Sequence, residues 1–414
     1  MVGLPARGKT FVASQMSRYL AWQGVRARIF NVGNRRRALF GAKVPHGFFD
    51  PSNPAGMSSR REAAQATMDE VLAFFIDGGE VAFYDATNTT QARRSWVREV
   101  CVKHGIQTAF VELSCDDPAI IERNIRETKL FSPDYTGVEA DEAVADFRRR
   151  IDHYRTVYEP LGDSDPAWVR LVDAGRQVIL TDPERVIPRR LTDYLANLSA
   201  VPRTIWVTRH GQSEFNTSGQ LGGDSPLSAD GEIYAHSLGE FFRQRPLSRV
   251  WSSTLRRARQ TASALGTTHS PRRALDEIEA GVCDGMTYAE IAARKPDEFA
   301  ARQGDKLSYR YPGGESYADV IERLDPMVLD LERTRGPVLL VAHQAIIRSL
   351  LGYFLDIPRA DIPHVAVPLH TVIALHPHGP GYREERFPLA PTLSTTLRSA
   401  ALGEQGHNGG RKLL

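Results

Sequence analysis

Short apolar runs alternate with longer amphipathic stretches through most of this chain. In the first half, residues 25–30, 81–84, 108–113 and 177–180 are short apolar runs, which predict strands. Residues 58–75, 93–104, 118–127 and 141–158 are amphipathic and predict helices. The alternation starts afresh near residue 204, with strands predicted at 204–208, 249–252 and 338–342 and helices at 230–243 and 256–265. Such alternation implies a mostly parallel sheet covered by helices on both faces, because parallel neighbours need a long crossover between them. Polar and proline residues around 199–203 separate two α/β domains, expected at 1–200 and 203–393. From about residue 394 the chain turns small and polar, so 394–414 is expected to be a disordered tail.

At 414 residues the chain can hold two or three domains, each with its own core. Its 52 basic and 50 acidic side chains nearly cancel, which excludes a diffuse basic field for nucleic acid or an anionic membrane. Basic residues cluster locally instead, at Arg35, Arg36 and Arg37 and at Arg148, Arg149 and Arg150, a pattern suited to small anions. No apolar run approaches the ~20 residues that cross a bilayer, and Arg7 and Lys9 interrupt any signal-peptide core. Cys101, Cys115 and Cys283 are too dispersed for a metal-ligand pattern, and a reducing cytosol is the simplest compartment.

Candidate chemistry gathers at strand ends. Thr204-Ile-Trp-Val-Thr-Arg-His-Gly211 runs as an apolar strand into Arg209, His210 and Gly211, which places His210 where open α/β sheets bind ligands. A neutral imidazole there can attack phosphorus, and Arg209 offers a planar fork for phosphoryl oxygens. Later in the chain come Arg257 after the strand at 249–252, Glu277 in Leu275-Asp-Glu-Ile-Glu-Ala-Gly281, and His343 after the strand at 338–342. In this order they resemble the phosphoglycerate mutase-like histidine phosphatase superfamily. The resemblance implies a covalent phosphohistidine on His210. Arg209, Arg257 and His343 would spread the phosphoryl charge, and Glu277 would act first as acid and then as base. This half is expected to need no cofactor.

Gly3-Leu-Pro-Ala-Arg-Gly-Lys-Thr10 satisfies the phosphate-loop pattern G-x-x-x-x-G-K-[ST], and residues 11–22 read as the helix that should follow. Its amides would cradle nucleotide phosphates, Lys9 would reach the β- and γ-phosphates, and Thr10 would hold Mg²⁺. Asp85 closes the apolar run at 81–84, where a Mg²⁺-linked carboxylate belongs, although a turn-capping role is also open. Only Met1 and Val2 precede Gly3, whereas such a loop follows a buried strand; an apolar stretch upstream of Met1 is therefore expected.

A nucleotide-binding kinase ahead of a histidine phosphatase, together with Asn31-Val-Gly, Asp85-Ala-Thr-Asn-Thr-Thr90, Ser132-Pro-Asp-Tyr135, Ala280-Gly-Val-Cys283, Gly314-Glu-Ser-Tyr317 and Pro368-Leu-His-Thr371, resembles the 6-phosphofructo-2-kinase/fructose-2,6-bisphosphatase family. The resemblance implies ATP with Mg²⁺ in the first half, bound by Gly3, Ala6, Arg7, Gly8, Lys9, Thr10, Asn124 and Lys129, with Thr10 and Asp85 on the metal. It implies Asp85, Lys9 and Cys115 as catalytic positions, although Cys115 also reads as a small buried residue. Arg36, Arg60, Thr87, Arg93, Lys129, Arg150 and Tyr154 fall on fructose 6-phosphate contacts, with Ser59 and Arg61 open alternatives to Arg60. Arg209, Asn216, Gly222, Tyr288, Arg302, Lys306, Tyr317, Gln344 and Arg348 fall on fructose 2,6-bisphosphate contacts. Arg302 and Lys306 are also spaced as one face of an ordinary solvated helix. The implied partners are sugar phosphates, with neither nucleic acid nor membrane, and a homodimer is a candidate assembly. Two departures bear on the first half: Asn34 and Arg35 stand where the family has an acidic residue and a tyrosine, and Asp50 replaces an arginine after Phe48 and Phe49. They bear on kinase affinity and acceptor choice. The alternative is a phosphatase or mutase acting on another sugar phosphate or phosphoglycerate, and the short stretch before Gly3 motivates a first half that is a non-catalytic nucleotide or metabolite sensor.

Overall fold

Parallel pairing organises the first unit, built mainly from Met1–Val201, of a chain that divides into two compact units. The computed structural model describes residues 1–129, 132–165, 167–182, 185–199 and 201–389, with side chains left out at 128 and 129. The tail expected at 394–414 lies outside the described residues. Strands β1 (Ala27–Asn31) and β2 (Val81–Asp85) are parallel and in register, which sets Asn31 opposite Asp85. Strand β3 (Phe110–Ser114) pairs parallel with β4 (Trp168–Val172), and β5 (Gln177–Thr181) joins β4 antiparallel. Val2 makes a parallel bridge to Glu112, and the Gly3 amide donates to the Thr87 carbonyl at 3.0 Å. The glycine-bearing loop thus starts beside the residues that follow β2, where the sequence pattern calls for a strand. Behind the loop runs the helix Lys9–Gln23, whose N-cap Gly8 has φ 86° and supplies no side-chain cap. Its first amides are therefore left for an anion. The predicted helix at 118–127 is shorter than the pattern suggests: α-helix covers Pro118–Asn124 and a π-turn follows over Ile125–Lys129.

The second unit, mainly from Pro202 onward, holds a six-stranded sheet. Its strands are β6 (Ile205–Arg209), β7 (Arg249–Ser252), β8 (Ser270–Pro271), β9 (Val338–Ala342), β10 (Thr371–His378) and β11 (Gly381–Pro388), in the order β11-β10-β6-β9-β7-β8. Strands β6, β9 and β7 are parallel neighbours, and β10 runs antiparallel to β6. Every residue of β9 is buried, which explains why it reads as an unbroken apolar run rather than an alternating one. Trp206, Tyr234, Leu238, Phe242, Val250 and Leu339 pack one face of the sheet. Because the three central strands point the same way, the residues after β6, β7 and β9, namely His210, Ser253 and His343, emerge at one sheet edge.

Candidate active sites

His210 leaves the end of β6 and is only 3% exposed. Gly211 makes this possible: a Cβ there would sit 2.4 Å from the Gly231 carbonyl oxygen. The His210 Nδ1–H donates to the Gly211 carbonyl at 2.6 Å, which leaves the lone pair on Nε2. That atom accepts from Nε of Arg257 at 3.1 Å. Burial, then the charges of Arg257 and Arg209, hold the imidazole well below its ordinary value, so it stays neutral and nucleophilic near neutral pH. Arg257 is anchored by donating to the Gly223 carbonyl at 2.7 Å. Arg209 donates to the Val367 carbonyl at 3.1 Å, and its buried Nε has no partner among the described residues, as expected of a donor awaiting an anion.

Glu277 faces the same cavity and accepts backbone N–H bonds from Ile278 at 3.0 Å, Gln344 at 3.1 Å and Ala345 at 3.2 Å. Two of these donors open the helix Gln344–Phe354, so a helix N-terminus fixes the carboxyl group. His343 is fully buried, with its ring centroid 4.9 Å from that of His210 and its Nε2 2.8 Å from Ser253 Oγ.

The cavity, of about 130 Å³, extends from this cluster to a second basic group. There Arg302 donates to Tyr311 at 2.7 Å and to Tyr288 at 2.8 Å, with its guanidinium 4.7 Å above the Tyr288 ring. Lys306 donates to the Pro363 carbonyl at 2.8 Å, and burial with the nearby charges of Arg348 and Arg302 brings its ammonium down to about 8. Arg348 reaches Tyr317 at 3.1 Å and the Val365 carbonyl at 2.7 Å. Asn216 and Gly222 line the near wall, where Asn216 Oδ1 accepts the Ser213 amide at 3.0 Å. Gly222 has φ 67°, and a Cβ on it would lie 1.6 Å from an Asp284 oxygen. Of the residues expected in this half, all but His343 line the cavity.

In the first unit Asp85, 3% exposed, closes β2 and accepts from Thr10 Oγ1 at 2.7 Å and Asn31 Nδ2 at 2.5 Å. Thr10 and Asp85 thus meet as a metal pair would, and Mg²⁺ needs few protein ligands because it keeps several waters. Ala6 and Gly8 hold φ 59° and 86°, which turns the loop into an amide-lined nest. Lys9 donates to the Leu4 carbonyl at 2.7 Å, Asn124 to the Ala6 carbonyl at 3.0 Å, and Nη2 of buried Arg7 has no partner among the described residues. These residues fit a bound nucleotide triphosphate. The Lys129 side chain lies outside those described. Cys115 is buried beside Arg7, and burial pushes its thiol up, so the group holds its proton.

Four of the expected sugar-phosphate residues, Arg36, Arg60, Arg150 and Tyr154, meet at Phe49. The guanidinium of Arg150 lies 3.7 Å from the centroid of that ring, Arg36 lies 5.7 Å from it, and Tyr154 packs at 6.1 Å. Arg60 is spent on backbone, donating to the Phe49 carbonyl at 2.9 Å and to the Gly56 carbonyl at 3.1 Å. Arg36 is 3% exposed and forks onto Asp134 at 2.7 and 2.9 Å, so it is not a bare cation. Arg93 donates to Tyr84 at 2.7 Å and stacks on Trp96. Thr87 is partly buried two residues beyond Asp85.

Residues 1–202 match the family model of 6-phosphofructo-2-kinase, and residues 205–388 that of the histidine phosphatase superfamily (branch 1). The chain is 43% identical over 383 residues to the 6-phosphofructo-2-kinase/fructose-2,6-bisphosphatase of Gallus gallus, covering 91% of this chain and 81% of that protein. The protein of the same name from Caenorhabditis elegans is 43% identical over 393 residues, covering 91% and 85%. The chain belongs to the 6-phosphofructo-2-kinase/fructose-2,6-bisphosphatase family.

Asn34, Arg35 and Asp50, expected from the sequence to be departures, have plain local roles. Arg35 pairs with Glu70 at 3.2 Å on the exposed side of the helix Val32–Phe40, and the Asn34 amide is capped by Asn31 Oδ1 at 2.8 Å. Asp50 accepts the Ser52 amide and hydroxyl at 2.8 and 2.6 Å and lies 3.7 Å from His153. Residues not singled out for the sites are Asn31, Asp134, Tyr311 and Ser253. Asn31 and Asp134 lay inside motifs quoted for the family resemblance, and Asn31 also ends an apolar strand.

Proposed function

We propose that this chain makes fructose 2,6-bisphosphate from ATP and fructose 6-phosphate and hydrolyses it back to fructose 6-phosphate and phosphate. Residues 1–200 form the kinase domain and 203–393 the phosphatase domain. One observation carries the reading: a single cavity has a nucleophilic histidine between two arginines at one end and Arg302, Lys306 and Arg348 at the other. Two cationic poles suit a substrate with two phosphates better than a monophosphate.

In the phosphatase half the Nε2 lone pair of His210 attacks the 2-phosphoryl phosphorus as the bond from phosphorus to the sugar oxygen breaks. Arg209 and Arg257 hold the equatorial oxygens, and Glu277 in its acid form protonates the leaving oxygen. Glu277, now a carboxylate, takes a proton from water as that water attacks phosphohistidine. The N–P bond breaks and phosphate leaves. In the kinase half bound Mg²⁺·ATP supplies the γ-phosphoryl group and shields its charge. The loop amides, Arg7 and Lys9 would hold the nucleotide phosphates, Thr10 and Asp85 the metal. Arg36, Arg93 and Arg150 would orient the sugar phosphate. A cytosolic homodimer belongs to the same reading, and sedimentation of the purified protein tests the assembly.

Purified protein is expected to transfer phosphate from ATP to fructose 6-phosphate and to release phosphate from fructose 2,6-bisphosphate. His210→Ala should remove only the second activity and Lys9→Ala only the first. Protein lacking both activities contradicts the proposal.

A further inference from the structure

His370, in the motif Pro368-Leu-His-Thr371, is not among the residues lining the phosphatase cavity, yet one peptide group ties it to the nucleophile. The Gln212 amide donates to His370 Nε2 at 3.2 Å. The carbonyl of that same peptide group, on Gly211, accepts from His210 Nδ1 at 2.6 Å. A trans peptide is planar with its N–H and C=O opposed, so the two imidazoles sit at opposite ends of one rigid dipole. His370 is itself firmly held. Its ring stacks on Tyr234 with centroids 4.8 Å apart and planes 20° from parallel, and its carbonyl accepts the Leu389 amide at 2.9 Å. Its φ of 57° lies in the left-handed region, a costly conformation for a histidine that the surroundings must maintain. An amide can donate only to a bare ring nitrogen, so neutral His370 carries its proton on Nδ1. Burial keeps the ring below its ordinary value; Asp230 opposes this and Arg209 adds to it, so His370 is neutral and able to accept near neutral pH.

We propose that His370 is a positioning residue for the phosphatase reaction, acting on His210 through the peptide group of Gly211 and Gln212. The proposal rests on the phosphatase reading above. The Nε2 lone pair of His370 draws on the Gln212 N–H, which polarises the peptide and makes the Gly211 carbonyl a better acceptor. That carbonyl holds the His210 proton on Nδ1 and so leaves the Nε2 lone pair as nucleophile. When Nε2 bonds to phosphorus the His210 ring becomes cationic, and its Nδ1–H donates more strongly to Gly211. The relay therefore favours the transition state over the free enzyme, and it needs no proton transfer between the histidines. A protonated His370 cannot accept the amide, so acid breaks the relay. The groups facing the ring are Asp230 and Tyr234 on the helix Ala229–Phe242 and Arg209 and His210 at the end of β6.

The test is nitrogen NMR of the full chain labelled with ¹⁵N-histidine, with signals assigned by their loss in His210→Gln and in the His370 variants. In the free wild type at neutral pH, His370 should be protonated on Nδ1 and bare on Nε2. As pH falls, the His210 Nδ1–H proton should move upfield, as in a weakened hydrogen bond, with the same midpoint as the His370 titration. His370→Phe keeps a ring against Tyr234 but removes the acceptor, and should show the upfield position at every pH. His370→Gln places an amide oxygen near the position of Nε2, and should keep the wild-type position without the titration. In rapid quench with fructose 2,6-bisphosphate, phosphohistidine formation should slow about tenfold in His370→Phe, with KM little changed, and recover in His370→Gln. A neutral wild-type His370 protonated on Nε2, or a His370 titration that leaves His210 Nδ1–H unmoved, overturns the proposal even if neither variant folds. Equal slowing in both variants assigns His370 to packing alone and also overturns it. The NMR arm needs no substrate, so the expected signals in a protein inert toward fructose 2,6-bisphosphate would support the relay while refuting the substrate reading.

Discussion

Replacing Asp134 by Asn tests how the first unit tolerates so many arginines. Arg36, Arg37 and Arg150 approach one Asp134 oxygen at 2.7, 3.2 and 3.6 Å, and the Arg36 and Asp134 side chains are 4% and 5% exposed. Asparagine keeps the shape, so no cavity forms and the loss is one of charge. Removing one partner from a buried ion pair costs about 3–5 kcal/mol, because the other charge stays buried. Arg36 retains the Gly41 carbonyl at 3.1 Å, which places the expected loss toward the lower end. At roughly 1.4 kcal/mol per tenfold, 3 kcal/mol lowers protection by about 100-fold. Native-state hydrogen exchange should show this in the helices Val32–Phe40 and Ala140–Arg155, with the second unit unaffected. Burial opposes the charge on Asp134, but the hydrogen bonds and charge of Arg36, then Arg150 and Arg37, outweigh it and hold the carboxyl below its usual range. Its stabilisation is therefore full above the unfolded-state carboxylate range of about 4 and is lost as pH falls through the lower folded value. Asp134→Asn should lack that acid-side loss. A change in protection under tenfold, or an unchanged acid profile, would refute the reasoning.

Other expectations concern activity. In the wild type the KM for fructose 2,6-bisphosphate should rise as pH passes about 8, where Lys306 loses its proton, and Lys306→Gln should flatten that rise in steady-state assays. Gly222→Ala combines a left-handed φ with a Cβ driven into Asp284; phosphatase kcat/KM should drop at least about tenfold while kinase activity persists. Thr10→Ala removes a hydroxyl 2.7 Å from Asp85, so the kinase should need more Mg²⁺ for half-maximal rate, with phosphate release unchanged.

Strands β7 and β9 were legible to their end residues, because buried parallel strands form short apolar runs with abrupt polar ends. The same feature exposed His210, whose strand stops at the nucleophile. Strand β11 was hidden: its Arg383, Glu384, Glu385 and Arg386 suit an edge strand but carry no apolar run to mark it. Strand β4 was masked by Arg170 at its centre, an arginine paired with the buried Glu112. Long-range polar pairs were the hardest to see. Arg36 and Asp134 are 98 positions apart and Ser253 and His343 are 90 apart, and neither pair has a periodicity. The partner of Arg36 was hidden because nothing near Arg36 in the chain points to Asp134. Likewise, Ser253 lies between the strand at 249–252 and Arg257, and the arginine alone was singled out there.

The most direct test of the phosphohistidine mechanism is rapid quench of the full chain with fructose 2,6-bisphosphate labelled at the 2-phosphate. Label should appear on protein before free phosphate, stable to base but released by acid. It should map to His210 and be missing in His210→Ala. Phosphate released at full rate with no labelled protein, or label on a residue other than His210, would contradict the mechanism.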